Sequence, residues 1–204
     1  MRLQNPFAAL SPTGLDSQVL TVLARADAEL TPGQIHALLP EGGSLEGVRQ
    51  SVRRLASHGT VIERRVGRSM AYELNARHLL AGPIREIARA KQHLIDLLSS
   101  HVREWRLQPL TVKLFGSAAR SEMTDGSDID VLVVMPDGAD RDEAEARVGN
   151  LASVTRDLTG NDVRPLLYFE SEVEQAGIFD SILADGIDIA GDPSWLRRNL
   201  RARG

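Results

Sequence analysis

A chain of 204 residues that is 42% hydrophobic and 25% charged has a soluble, globular composition, with room for one large or two small domains. No apolar run nears the roughly 20 residues of a membrane span, and the lack of cysteine excludes disulfides and thiolate metal sites. A net charge of −4 excludes a uniformly basic nucleic-acid coat, and MRLQNPFAALSPTG has no sustained apolar run of the secretory kind, so the cytoplasm is the expected compartment.

The charge is unevenly spread. Between Arg49 and Arg77 stand seven arginines and two glutamates, which leaves the rest of the chain acidic and suggests two functional regions. In chain order, Leu15, Val19, Leu20, Val22 and Leu23 make a helical stripe. Thr31 is placed to cap a second helix with Pro32 at its first position, Ile35, Leu38 and Leu39 on its inner face and Pro40 at its close. Ser44 caps a third, where Val48, Val52 and Leu55 face inward, Arg49, Gln50, Arg53 and Arg54 face outward, and Gly59 ends the run. Two β-like runs, TVIERRV and SMAYELN, meet at Gly67-Arg68.

Three helices followed by a basic hairpin resemble the winged helix-turn-helix of MarR- and ArsR-like regulators. The resemblance implies a third helix in the DNA major groove and a wing on the backbone or minor groove. The implied DNA-binding residues are Arg49, Gln50, Arg53 and Arg54 on the helix and Arg64, Arg65 and Arg68 on the wing. Guanidinium groups suit phosphates and guanine edges alike. A protein-docking module with solvated arginines is the other reading of the same pattern. A long helix is then predicted from Pro83 to about Trp105, striped by Ile84, Ile87, Leu94, Ile95, Leu98 and Val102, as a connector or a homodimer contact.

LTVKLFGS and IDVLVVMP read as strands, joined by a short helix and a turn at Asp125-Gly126. Side chains alternate along a strand, so Asp128 and Asp130 share a face. Neighbouring carboxylates repel, and a divalent cation relieves them; oxygen ligands without His or Cys select Mg²⁺ or Mn²⁺. Gly116 allows a phosphate close to the backbone, Ser117 adds a hydroxyl at a helix start, and Arg120 adds charge. Metal and phosphate sites side by side suit a nucleoside triphosphate.

Gly116-Ser117, then ten residues, then Asp128-Ile-Asp130 resembles the signature of the DNA polymerase β-like nucleotidyltransferase superfamily, and more closely its minimal, MNT-type members. The resemblance spans about residues 108 to 192. It implies that Asp128 and Asp130 bind metal and serve catalysis. Gly116, Ser117, Arg120 and Ser127 would contact nucleotide, and an acceptor hydroxyl would attack the α-phosphate with loss of pyrophosphate. It also implies a HEPN-type toxin as partner. Active members add a third carboxylate on a neighbouring strand, here Val163 to Phe169 after a helix at about 141 to 158. The expected depth holds Arg164. Asp162, two residues earlier on the same face, is the catalytic candidate, or else caps the turn after Gly160-Asn161.

Beyond this strand a helix capped by Ser171 and stopped at Gly186, a strand from Ile187 to Ala190, and a basic tail that either meets phosphate or frays are expected. The five histidines have no metal-ligand spacing, and no Ser-His-Asp set, Walker loop or GxGxxG occurs. The expected fold is α+β: a winged helix at 1–80, a connecting helix at 81–107 and a nucleotidyltransferase-like α/β domain with a mixed sheet at 108–204. The expected function is Mg-dependent nucleotidyl transfer from an NTP to protein or nucleic acid, the alternative a DNA-binding transcriptional regulator whose second domain binds nucleotide without efficient turnover.

Overall fold

The computed structural model describes residues 1–9, 14–26 and 28–203. Residues 10–13, part of the stretch read against a secretory signal, lie outside the described residues, as does Gly204 of the basic tail. The chain divides into two compact units, Arg2–Lys91 and Gln92–Gly204.

The first unit opens with a 3₁₀ turn, Pro6–Ala9, followed by α1 (Asp16–Ala26), α2 (Pro32–Ala37) and α3 (Leu45–Ser57). The expected caps form. Thr31 Oγ1 accepts from the Gln34 N–H at 3.4 Å and Gln34 Oε1 accepts from the Thr31 N–H at 2.8 Å, closing two otherwise unsatisfied donors. Ser44 Oγ accepts from the Gly47 N–H at 3.0 Å. Strands β1 (Val61–Val66) and β2 (Ser69–Leu74) pair antiparallel around a two-residue turn, where Gly67 takes a φ of +61°. Val19, Leu23, Ile35, Val48, Val52, Val61 and Tyr72 form the core beneath them.

Leu38 departs from expectation. The second helix ends at Ala37, so the spacing that aimed Leu38 inward stops before it, and the residue is 56% exposed. The predicted long helix is likewise divided. Helices α4 (Ala81–Ala88) and α5 (Ala90–Arg103) part at Arg89, whose φ of −92° and ψ of 5° leave its N–H shared between the carbonyls of Arg85 and Glu86 at 3.1 Å each. Ile84 and Ala88 of α4 pack with Phe7, Ala24 and Leu74. That helix belongs to the first unit's core instead of forming a free connector.

In the second unit, β3 (Thr111–Phe115), β4 (Ile129–Met135), β5 (Val163–Phe169) and β6 (Ile187–Gly191) form a mixed sheet in the order β5-β4-β3-β6. The β3 strand runs antiparallel to β4 and β6, while β4 and β5 are parallel. A parallel pair needs a crossover, which α7 (Arg141–Thr159) supplies, with Asp140 Oδ1 capping it from the Glu143 N–H at 2.9 Å. Pro165 lacks an N–H and is tolerated because β5 is the sheet edge. The inner strand β4 is apolar on both faces, as burial on both sides demands.

Short α6 (Gly116–Arg120) leads from β3 toward β4, α8 (Gly177–Asp185) precedes β6, and α9 (Trp195–Arg203) closes the chain. Leu196 and Leu200 of α9 pack with Phe115, Leu132, Val134 and Phe179. Apolar anchors one turn apart seat α9 on the core. Ser171 caps no helix: it lies in a 3₁₀ turn, Glu170–Glu172, and its N–H and hydroxyl both donate to Asp137 Oδ1 at 2.9 Å. With that side chain spent on Asp137, the helix begins only at Gly177. No described helix is long and apolar enough to cross a membrane.

Candidate active site

Strand β3 ends at Phe115, which pairs with Asp130 across the β3–β4 ladder. The next residue, Gly116, takes a φ of +68° and opens α6. A Cβ at this position would stand 2.2 Å from Asp130 Oδ2 and 3.2 Å from its Cγ. Only glycine permits both the backbone angle and the carboxylate beside it.

Asp130 shares a face with Leu132 and Val134, at the strand end where the core opens. Burial pushes its carboxyl above the usual carboxylate range, and the charge of Asp128 adds to this against the opposing pull of Arg164 and Arg120. Asp128 is half-buried on the turn before β4. Its Oδ2 lies 2.6 Å from Arg164 Nη2, and Arg164 is the β5 register partner of Asp130. One guanidinium therefore serves a pair of acids.

Asp162 has a different place. It is exposed, it precedes the first residue of β5, and its carbonyl accepts the Ile129 N–H at 2.8 Å. Among the described residues no three His, Asp or Glu side chains gather where they could hold a metal.

Ser117 is half-buried beside the glycine. With only five residues, α6 offers an anion the Ser117 hydroxyl and nearby N–H groups more than a developed helix dipole. Arg120 turns to Glu122, its Nε donating at 2.8 Å. Ser127 serves the turn, its Oγ accepting the Thr124 N–H at 2.8 Å.

Two supporting residues escaped the sequence reading. Asn161, buried after α7, donates from Nδ2 to the Ser127 carbonyl at 3.0 Å and so holds the loop that carries Asp128. Lys113 is buried within β3 on the face of Asp130; its ammonium donates to Asp188 and to the Pro193 carbonyl. The lone cation in LTVKLF was the available signal, since a buried lysine requires a partner.

In the first unit, the arginines differ in how they are held. Arg54 donates from Nε and Nη2 to Asp16 at 2.8 and 2.7 Å, and the Ser51 hydroxyl joins them. Burial alone would raise the Asp16 carboxyl, but hydrogen bonds from Arg54 and Ser51 hold it below its usual range. Arg49 lies 3.3 Å from Glu46; Arg64 lies 3.4 Å from Glu29 and 3.2 Å from Glu73; Arg65 donates to the Gly67 carbonyl. Gln50, Arg53 and Arg68 are exposed. A groove of about 420 Å³, lined by Thr31, Arg49, Arg53, Ser69 and Tyr72 among others, opens beside α3.

Does the acidic pair fit a divalent cation? The crowding of Asp130 by Asp128 and the cradle at Gly116 suit one, and every donor is a hard oxygen. Two protein carboxylates are what Mg²⁺ commonly takes, its other positions going to water and phosphate.

The nucleotidyltransferase domain family matches residues 95–185. No curated protein matches the chain in sequence. Among solved structures, the chain is similar to a toxin–antitoxin complex with AMP-PNP at 20% identity and a TM-score of 0.39, over 55% of this chain and 82% of that one. Similarity to a tri-AMPylated Shewanella oneidensis HEPN toxin in complex with MNT antitoxin is at 17% identity and a TM-score of 0.39, over the same shares, 55% and 82%. TrmBL2, an archaeal chromatin protein, is similar at 14% identity and a TM-score of 0.32, over 81% of this chain and 70% of that one. Residues 95–185, which carry both Gly116-Ser117 and the Asp128/Asp130 pair, thus match a nucleotidyltransferase domain.

Proposed function

We propose that the second unit binds a nucleoside triphosphate with Mg²⁺ or Mn²⁺ and transfers its nucleoside monophosphate to a hydroxyl on a protein or nucleic acid. The observation that carries this is the seating of the Asp130 carboxylate against Gly116, where no side chain fits. Asp128 and Asp130 hold the cation. Ser117 and the backbone next to Gly116 receive the phosphate oxygens, and Arg120 adds positive charge to the same region. When bound, the cation offsets charge on the attacking and leaving oxygens. In keeping with the MNT resemblance, a HEPN-type toxin is the first acceptor to try.

The test is incubation with NTPs labelled at the α-phosphate, Mg²⁺ and candidate protein or RNA acceptors. Label should appear on an acceptor with the native chain and not with the Asp128→Ala/Asp130→Ala form. No transfer from any nucleotide, with both forms alike, would defeat the reading.

The first unit supports a second activity. Three helices with a hairpin, and exposed Gln50, Arg53 and Arg68, fit a winged helix that binds DNA. In a regulator of this kind the second unit would bind nucleotide with little turnover, which the Arg164–Asp128 ion pair favours. Arg53 lies on the outer face of α3 and in the groove beside it. Arg53→Ala should weaken DNA binding similarly across sequences if it meets phosphate, lowering the slope of log affinity against log salt by about one. A mobility-shift titration over salt, on DNA upstream of the coding region, reads this out. Unchanged affinity and slope would remove Arg53 from the interface.

A further inference from the structure

We infer that Arg164 is an internal cation that competes with the metal for Asp128 and passes to the triphosphate when the metal takes its place. This rests on the proposed nucleotide site and adds to it a coupling between metal and nucleotide.

The argument starts from register. Parallel pairing of β4 and β5 sets Arg164 beside Asp130, and its guanidinium reaches Asp128 Oδ2 at 2.6 Å. The carboxylate that a divalent cation would use already holds a positive charge against its Oδ2. A guanidinium and a divalent cation cannot share it without strong repulsion. Binding of the metal alone must therefore displace Arg164 and leave it facing a cation.

A triphosphate changes the balance. The Arg164 side chain is 73% exposed and Asp128 only 22%, so the arginine can swing while the acid stays fixed. The freed fork has five N–H donors that match phosphate oxygens in bidentate fashion. Metal arriving with nucleotide thus supplies Arg164 with a new anion. The expected result is that Arg164 opposes the metal alone and favours metal with nucleotide. Arg120 is paired with Glu122 and Lys113 with Asp188, whereas Arg164 is paired with the acid of the site itself.

Mn²⁺ binding followed by electron paramagnetic resonance, with and without AMP-PNP, tests it. Arg164→Gln should bind Mn²⁺ alone about tenfold more tightly than the native chain and Mn²⁺ with AMP-PNP about tenfold more weakly. Arg164→Lys keeps the charge without the fork, so it should leave Mn²⁺ alone weak while losing affinity for the complex. The exposed edge-strand position lets all three forms fold, and their circular dichroism should coincide. Equal Mn²⁺ affinity in native and Arg164→Gln forms, or affinities for metal and complex that move together, would overturn the inference. If the native chain binds neither Mn²⁺ nor AMP-PNP, the nucleotide-site reading itself fails.

Discussion

Replacing Asp130 with asparagine is expected to lower nucleotidyl transfer by on the order of 10²–10³-fold, the loss usual when one preorganised charge-stabilising group is removed. The change is nearly isosteric, so the contact with Gly116 and the packing above Leu132 survive. Loss of the negative charge removes a proposed cation ligand while the backbone around it keeps its shape. The same substitution should make the protein more stable when measured without divalent ions. Burial and Asp128 raise the Asp130 carboxyl in the folded state above its unfolded value near 3.8. The group's stabilising contribution is therefore full below that value and is lost as pH rises through the higher folded pKa. At neutral pH the ionised Asp130 is a cost, and asparagine removes it. Thermal melts of both forms at pH 4 and pH 7 should show an advantage for Asp130→Asn that is larger at pH 7. A melting point lowered at neutral pH, with transfer intact, would refute both parts.

Gly116→Ala should be nearly as damaging, by another route. The added methyl would lie 2.2 Å from Asp130 Oδ2, far inside contact distance, and would occupy a φ of +68°. The backbone angle alone costs an L-residue roughly 1–2 kcal/mol. Relief of the clash must come from moving the Asp130 carboxylate, the group that the site depends on. The expected outcome is a stability loss of about 1–3 kcal/mol in urea titration, together with at least tenfold weaker binding of AMP-PNP with Mn²⁺ by calorimetry. Asp130→Ala/Gly116→Ala should recover part of the stability, because the clashing oxygens are gone, while binding stays lost. If Gly116→Ala binds nucleotide normally, the close approach of glycine and carboxylate has no functional meaning.

The local placement of the acidic pair and of the glycine corner was legible from spacing. Alternation along a strand sets Asp128 and Asp130 on one face whatever the rest of the chain does, and a glycine between a strand and a helix announces a backbone that side chains cannot follow. Caps at Thr31 and Ser44 were equally readable, since they involve only residues three apart. Continuity of the helix after Pro83 was misread because no Gly or Pro marks the break at Arg89; the division coincides with a change of core, from Ile84 and Ala88 in one cluster to α5 of the second unit.

What periodicity determines is which residues share a face, and this chain's sequence settled that for its strands, its capped helices and its acidic pair. Only the tertiary structure decided which distant groups meet those faces. Arg54 is drawn to Asp16 from 38 residues away, so an arginine expected at a DNA surface is engaged within its own unit. Parallel pairing of β5 with β4 puts Arg164 on Asp128. The physical reason is range: alternation and capping act within a turn or a strand, whereas register and ion pairing are fixed by the packing of elements far apart in the chain.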